Sequence, residues 1–373
     1  MTGLEVPRPD LEATLLARTK AGGPFLLAGP PGSGKTTLLI DLRERLRAEG
    51  WQPVYLDLMG AASSPDRFVR AALDVLPAEP FARHLAEAMR LRQLAAEGRA
   101  RSADAVRALF ALWSSLDLAG DRPVALLFDE ATEIRSLAYF AGLREVAEAM
   151  GTALRARPRG TVLATSFPTL ARRLWPALET LDVRPLGPAD LGERGSAAAV
   201  RGGFGWPRYV RVLLERAQAG DDVAEAWAEE MAAGGRLEAA CRHTYESLLL
   251  RSRGYGIAKA TLQAVAHEEG LNLTALVARM GRTPGATRDY LQWLVGVDAL
   301  RVARKHYYYV DGLLRWWVRL HGRGWPPTAA ELQAAGLSAT ADAPAALPPS
   351  PETEKAPAPP PASARRDTLI EID

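Results

Sequence analysis

The run Gly29-Pro30-Pro31-Gly32-Ser33-Gly34-Lys35-Thr36, continued by Thr37, has the spacing GxxxxGK[ST]. It follows a short apolar stretch and precedes a helical one, which is the strand–loop–helix setting the motif requires. Glycines at 29, 32 and 34 let the backbone wrap closely, so that its N–H groups and the helix N-terminus face an anion. Lys35 then reaches the β- and γ-phosphates of a nucleotide, and the Thr36 hydroxyl ligates Mg²⁺. A Gly/Pro-rich turn that happens to contain Lys-Thr is the alternative, and the flanking elements argue against it. A second pair, Asp129-Glu130, ends an apolar run at 123–128. There Asp129 suits the Mg²⁺ hydration shell, and Glu130 suits orienting or deprotonating a water that attacks phosphorus. Two acids capping the next helix would look the same. The run TVLAT (161–165) leads into Ser166, which places the Thr165 and Ser166 hydroxyls near the phosphate end if this strand lies between the first and third. Ser166 can then sense the γ-phosphate, although Ser and Thr at a strand end read equally well as turn formers.

These residues need a parallel sheet to bring them together. From Pro24 to Pro188 the chain alternates short apolar runs with long amphipathic stretches, the pattern of an α/β fold. The runs 24–28, 53–58, 123–128, 161–165 and 181–186 predict five buried strands. Before the third, Val106, Leu109, Phe110, Trp113 and Leu116 recur at spacings of three and four and predict a helix with one buried face. After 201–205 the pattern turns helical. Pro207 is placed to start a helix whose inner face is Val210, Leu213, Leu214 and Ala217. Between Leu237 and Leu320 come three more helices, a turn at Gly281–Gly285, two strand-like segments and a closing aromatic helix, the order of a winged helix.

Within that segment LNLTALVARM, GRTPG and ATRDYLQWLVGV form a helix–turn–helix pattern. Arg282, Thr283, Thr287 and Arg288 at the second helix, with Arg301, Arg304, Lys305 and His306 in the wing, make a candidate stripe for double-stranded DNA phosphates. A module for protein contacts is the competing reading. Trp293, Leu294, Leu300, Trp316 and Trp317 are expected in the core. Beyond Trp325 the chain is Pro/Ala/Ser/Glu with few large apolar residues, which predicts disorder over 326–373. At its end Asp367–Asp373 restores Leu369, Ile370 and Ile372, either a docking motif for a protein partner or a random aliphatic cluster.

Taken together, the phosphate loop, the Asp-Glu strand, the strand ending in Ser166 and Gly205-Trp206-Pro207 resemble the STAND branch of AAA+-related P-loop ATPases, in particular the archaeal-type ATPase family. YYYVDGLLRWWVRL resembles that family's tyrosine-rich wing followed by an Asp, an Arg and a Trp, with Asp311, Arg315, Trp317 and Arg319 matching. Gly312 stands where those relatives usually have Pro. The resemblance covers roughly residues 10–322. It implies a P-loop NTPase domain with an AAA+/STAND-like five-stranded parallel sheet over 1–190, a helical lid over 191–236, a winged-helix domain over 237–325 and a tail over 326–373. It also implies that Gly205 and Pro207 contact nucleotide as a GxP motif and that ATP and Mg²⁺ are the cofactors. ATP hydrolysis would then drive a switch in a nucleotide-dependent homo-oligomer. In such relatives an arginine from a neighbouring subunit completes the site, and Arg172-Arg173 are the candidates. A nucleotide-dependent scaffold that assembles protein partners without turnover or DNA is the alternative.

Bulk composition narrows these readings. The 373 residues, 48% hydrophobic, suffice for several cores. A net charge of +2 means that any nucleic-acid contact must be a local patch. The single cysteine, Cys241, excludes an internal disulfide framework and a Cys-based zinc site, and suits a reducing compartment, so a cytoplasmic location is expected. The sequence has neither a secretory signal pattern nor an apolar run long enough to span a membrane.

Overall fold

The computed structural model describes residues 6–76, 85–97, 103–116, 122–194, 197–251 and 255–341. In the first part, α1 (Pro9–Ala21) leads to β1 (Phe25–Ala28), α2 (Lys35–Ala48), β2 (Gln52–Asp57), α3 (Leu58–Ala61), α4 (Pro65–Asp74), α5 (Leu85–Ala96) and α6 (Ala103–Ser115). Then follow β3 (Val124–Asp129), a 3-10 helix (Ala131–Tyr139), α7 (Val146–Arg155), β4 (Thr161–Thr165), α8 (Pro168–Leu174) and β5 (Glu179–Asp182). The strands pair in the order β2-β3-β4-β1-β5, all parallel. Every residue of β1, β3 and β4 is buried because helices cover both sheet faces. One face carries Phe68, Phe110, Trp113 and Phe128, and the other Leu15, Leu39 and Leu42. The expected stripe Val106, Leu109, Phe110, Trp113 and Leu116 is buried on and just after α6.

The fifth strand lies earlier than the sequence predicts, at 179–182 rather than 181–186. Its last ladder bond runs from Val183 N–H to Ala28 O at 2.7 Å, and Pro185 has no N–H to continue the ladder. TVLAT does lie between the first and third strands. Parallel order therefore puts the loops after β1, β3 and β4 side by side at one sheet edge.

The second part comprises α9 (Ala197–Gly202), α10 (Pro207–Gln218), α11 (Val223–Met231), α12 (Arg236–Leu250) and α13 (Tyr255–His267). After them come β6 (Leu271–Asn272), α14 (Leu273–Met280), α15 (Pro284–Gly296), β7 (Leu300–Ala303), β8 (His306–Tyr309), α16 (Gly312–His321) and α17 (Ala329–Thr340). Strands β6, β8 and β7 form an antiparallel sheet in that order. Pro207 starts α10, and Val210, Leu213 and Leu214 face inward as expected.

One apolar cluster runs from Phe167 through Trp227 and Leu248 to Ala339, on both sides of the expected boundary at 236. Two expectations need correction here. Trp293 is not core: it is 36% exposed and its indole N–H donates to Arg251 O at 3.1 Å. The order predicted to end at Trp325 continues through α17. Thr328 and Glu331 form a capping box that starts this helix. Its small residues Ala335, Gly336 and Ala339 are buried, with Gly336 set against the Ala224 carbonyl, so close backbone approach replaces large side chains. Arg323 adds a bidentate pair to Glu331 at 2.6 and 3.0 Å, and these bonds hold the Glu331 carboxyl down at about 2. The remainder of the predicted tail, with Leu369, Ile370 and Ile372, lies outside the described residues.

Candidate active site

The loop between β1 and α2 turns through two glycines at positive φ, Gly32 (82°) and Gly34 (92°), a conformation that a side chain would strain. Lys35 is 4% exposed and donates to Gly29 O at 2.9 Å and Pro30 O at 3.0 Å, so its ammonium sits inside the curl of the loop. Burial pushes its pKa down, opposed by the nearby charges of Glu130 and Asp129. Thr36 Oγ1 donates to Asp129 Oδ2 at 2.7 Å, and Tyr55 OH donates to the same oxygen at 2.9 Å. A hydroxyl and a carboxylate thus face one point beside the loop. Both are oxygen donors that Mg²⁺ takes, so the residues present fit the ion.

Glu130 takes a left-handed conformation at φ 45°, which turns its carboxylate back over the sheet edge. Both of its oxygens are engaged: Ser166 N–H donates to Oε2 at 3.0 Å and Ser166 Oγ donates to Oε1. Burial raises the Glu130 pKa, while the Lys35 charge and the Ser166 hydrogen bonds oppose the rise. Ser166 is therefore placed on Glu130 itself, and Thr165 Oγ1 lies 3.2 Å from Thr132 Oγ1 and accepts from Phe167 N–H.

Gly205 takes a φ of 70° and accepts from Leu186 N–H at 2.8 Å; a Cβ there would lie 2.6 Å from Leu186 O. This bond ties the start of α10 to the exit of β5. Pro207 then lies beside Gly34, and Arg208 N–H donates to Gly32 O at 3.3 Å. The sequence reading missed Arg208, although its place directly after a helix-starting proline is a usable signal. It also missed Tyr55, whose alternation on β2 points its ring toward Asp129. Lys35, Thr36, Glu130, Ser166, Pro207 and Arg208 line a cleft of ≈1390 Å³ that continues past Arg211 to His243 and Ser247 on α12, whereas Asp129, Tyr55 and Gly205 stand behind its wall.

The second part of the chain grips the site's rim at two places. Asp298, at φ 54°, accepts from Thr169 N–H at 3.0 Å and from Thr169 Oγ1 at 2.6 Å, at the start of α8. Arg251 pairs with Glu133 at 2.8 Å, and its guanidinium lies 4.8 Å from the centre of the Phe167 ring. Arg172 pairs with Asp182 at 2.6 Å, and Arg173 reaches toward Gly296, so each has a neighbour within its own chain.

Arg282 and Arg288 are exposed near the start of α15, and Arg304 and Lys305 are exposed at the β7–β8 turn, where both have positive φ. Thr287 departs from the expected stripe: it is 2% exposed and its hydroxyl donates to Thr283 O at 3.0 Å. Arg301 is half-buried and stacks 4.7 Å from the Tyr308 ring centre. Among the described residues no helix is long and apolar enough to cross a membrane.

No known family model matches the sequence, and no curated protein matches it. Among solved structures the chain is similar to a Walker-type ATPase of Pyrococcus abyssi, at 15% identity over 84% of this chain and 96% of that one, with a TM-score of 0.63. It is also similar to the Aeropyrum pernix ORC2 protein, solved as ADPNP–ADP complexes, at 16% identity over 91% and 95% of the two chains, with a TM-score of 0.47. Thermotoga maritima RuvB follows at 15% identity over 81% and 92%, with a TM-score of 0.34. The first likeness shows that the fold is shared with that Walker-type ATPase over most of both chains, and the other two add nothing to it.

Proposed function

We propose that this chain binds ATP with Mg²⁺ in the cleft at the sheet edge and hydrolyses it as a conformational switch. The observation that carries this is the convergence on one cleft of the curled glycine loop, the buried Lys35, the Glu130 carboxylate and Thr36, whose hydroxyl is held by Asp129. When bound, Mg²⁺ neutralises phosphate charge. The loop N–H groups cradle the phosphates, and Lys35 exchanges its loop carbonyls for phosphate oxygens. Glu130 accepts a proton from the attacking water once Ser166 lets go of it, so a γ-phosphate that competes for Ser166 arms the base. Arg208, whose stem covers Gly32, senses the same phosphates from α10. Movement there reaches the rest of the chain because the next residue, Tyr209, donates to Asp311 Oδ2 at 2.8 Å. Asp311 in turn caps α16, accepting from Leu313 and Leu314 N–H.

The contrast of two variants tests this. Lys35→Ala should weaken ATP binding by roughly one to two orders of magnitude or more, the worth of at least one charged hydrogen bond. Glu130→Gln should bind ATP normally and lose about 10²–10⁴ in turnover. Titration calorimetry and phosphate release read the two effects; normal turnover in Glu130→Gln would remove that residue from its role, and absence of turnover in the wild type would leave the scaffold reading in place. Sedimentation of the same proteins with ADP and with non-hydrolysable ATP reads the nucleotide-dependent self-association that an arginine supplied in trans requires.

The second part of the chain, with its helix–strand–helix–helix–hairpin order, is read as a winged helix that engages duplex DNA. The exposed Arg282, Arg288, Arg304 and Lys305 support this, as side chains free to meet phosphates.

A further inference from the structure

A second groove of ≈850 Å³, sharing no lining residue with the ATP cleft, runs between α13, the end of α14 and the segment after α16. Its apolar surface includes Ile257, Met280 and Trp325, and its cationic rim includes Arg279, Arg282 and Arg323. Trp325 is 63% exposed, with the Arg323 guanidinium 5.7 Å from its ring centre, so the indole adds open apolar surface beside a cation. Arg279 pairs with Glu268 and Arg323 with Glu331, while Arg282 makes no ion pair among the described residues. The potential stays positive despite those pairs: beyond burial, Arg319, Arg323 and Arg279 all push the pKa of the adjoining His267 down. An apolar floor with a cationic rim fits an extended peptide that alternates aliphatic and acidic side chains.

The chain carries such a peptide. Residues 367–373 read Asp-Thr-Leu-Ile-Glu-Ile-Asp, with carboxylates at 367, 371 and 373 and aliphatics at 369, 370 and 372. A Pro/Ala-rich stretch, 342–366, joins it to α17. α17 begins four residues after Trp325 and has 12 residues, so its far end lies about 18 Å from its start. A proline-rich connection of that length can extend about 3.1 Å per residue, several times the distance back to the groove. We propose that residues 367–373 dock in this groove of their own chain, aliphatic side chains on Ile257, Met280 and Trp325, carboxylates on Arg279 and Arg282. Tethering gives the segment an effective concentration on the order of millimolar, so a weak peptide affinity suffices. Where duplex DNA binds at α15, the segment competes with it for Arg282; that consequence rests on the DNA reading, whereas the docking does not.

Cysteine pairing in the full chain tests this, because the single native cysteine, Cys241, is buried. Ala260, which lines the groove, is changed to Cys together with Ile370→Cys, and the control pairs Ile370→Cys with Glu148→Cys on the exposed side of α7. Under mild oxidation the groove pair should form an intramolecular disulfide in at least ~10-fold higher yield than the control, independent of protein concentration. Adding Arg279→Glu with Arg282→Glu should bring that yield down to the control level. Equal yields in the two pairs overturn the proposal, as does a groove disulfide indifferent to charge reversal. A yield that rises with protein concentration assigns the groove to a second copy and overturns it too. Absence of the disulfide together with duplex binding that Trp325→Ala abolishes makes the groove a nucleic-acid surface instead.

Discussion

At Gly312 the missing Cβ is a packing requirement. A Cβ built there would lie 2.3 Å from the Phe204 ring, which stands over the first turn of α16 from a residue at φ 51°. The family resembled by the sequence usually places Pro at this position to fix the helix start. Here the same task falls to Asp311, which accepts from Leu313 N–H at 2.9 Å and Leu314 N–H at 3.1 Å, while Phe204 fills the space of the ring. Gly312→Ala should therefore destabilise the protein by about 1–3 kcal/mol, the usual cost of overpacking. Adding Phe204→Ala should return part of that loss, because the two residues share one volume. Urea midpoints for the two single variants and the double variant read this, and a Gly312→Ala midpoint equal to wild type would dismiss the contact.

Among the elements, α8 is the joint between the sheet edge and the second part of the chain. It begins two residues after Ser166, and Phe167 offers its first turn no side-chain cap. Asp298 supplies the missing acceptor from the other part of the molecule, by way of Thr169. Burial pushes the Asp298 carboxyl up to about 6, against the Thr169 hydrogen bonds and the charges of Arg172 and Arg173. Because the folded pKa is raised, the stability this group contributes is present in full below the unfolded value near 3.8 and is lost as pH rises through about 6. Asp298→Asn keeps an acceptor for Thr169 and removes the titration. The melting temperature of wild type minus that of the variant should thus fall as pH rises from about 4 to about 7. A difference that stays flat, or grows, would mean that the carboxyl is not held in this buried state.

For the whole molecule, a net charge of +2 supplies no general attraction for nucleic acid, so the proposed duplex binding rests on the exposed cations of α15 and the β7–β8 turn alone. Arg288→Ala and Arg304→Ala should each weaken duplex binding and lower the slope of log affinity against log salt by about 1. The loss at Arg304 should not depend on base sequence, as expected of phosphate contacts. Fluorescence anisotropy with long mixed-sequence duplexes measures this. No binding at low salt would make the second part of the chain a protein-contact module governed by the ATP site.

The conformation of the glycine loop was legible because its requirements are local: glycines where φ is positive, Lys35 and Thr36 at the helix start, a strand before and a helix after. Asp129 and Glu130 were legible for the same reason, as strand-end carboxylates, and so was the order of helices and hairpin in the second part. Other features depended on residues far apart in the chain. The grip of Ser166 on Glu130, of Asp298 on Thr169 and of Tyr209 on Asp311 follows from which loops the parallel sheet and shared core bring together, and spacing along the chain does not encode that. Thr287 looked available beside two arginines, yet its position on α15 turns it inward. α17 is not legible in the sequence because it holds few large apolar residues. Its alanines and Gly336 are ordered through close backbone contact with α11, a geometry that exists only once α11 is folded beside them.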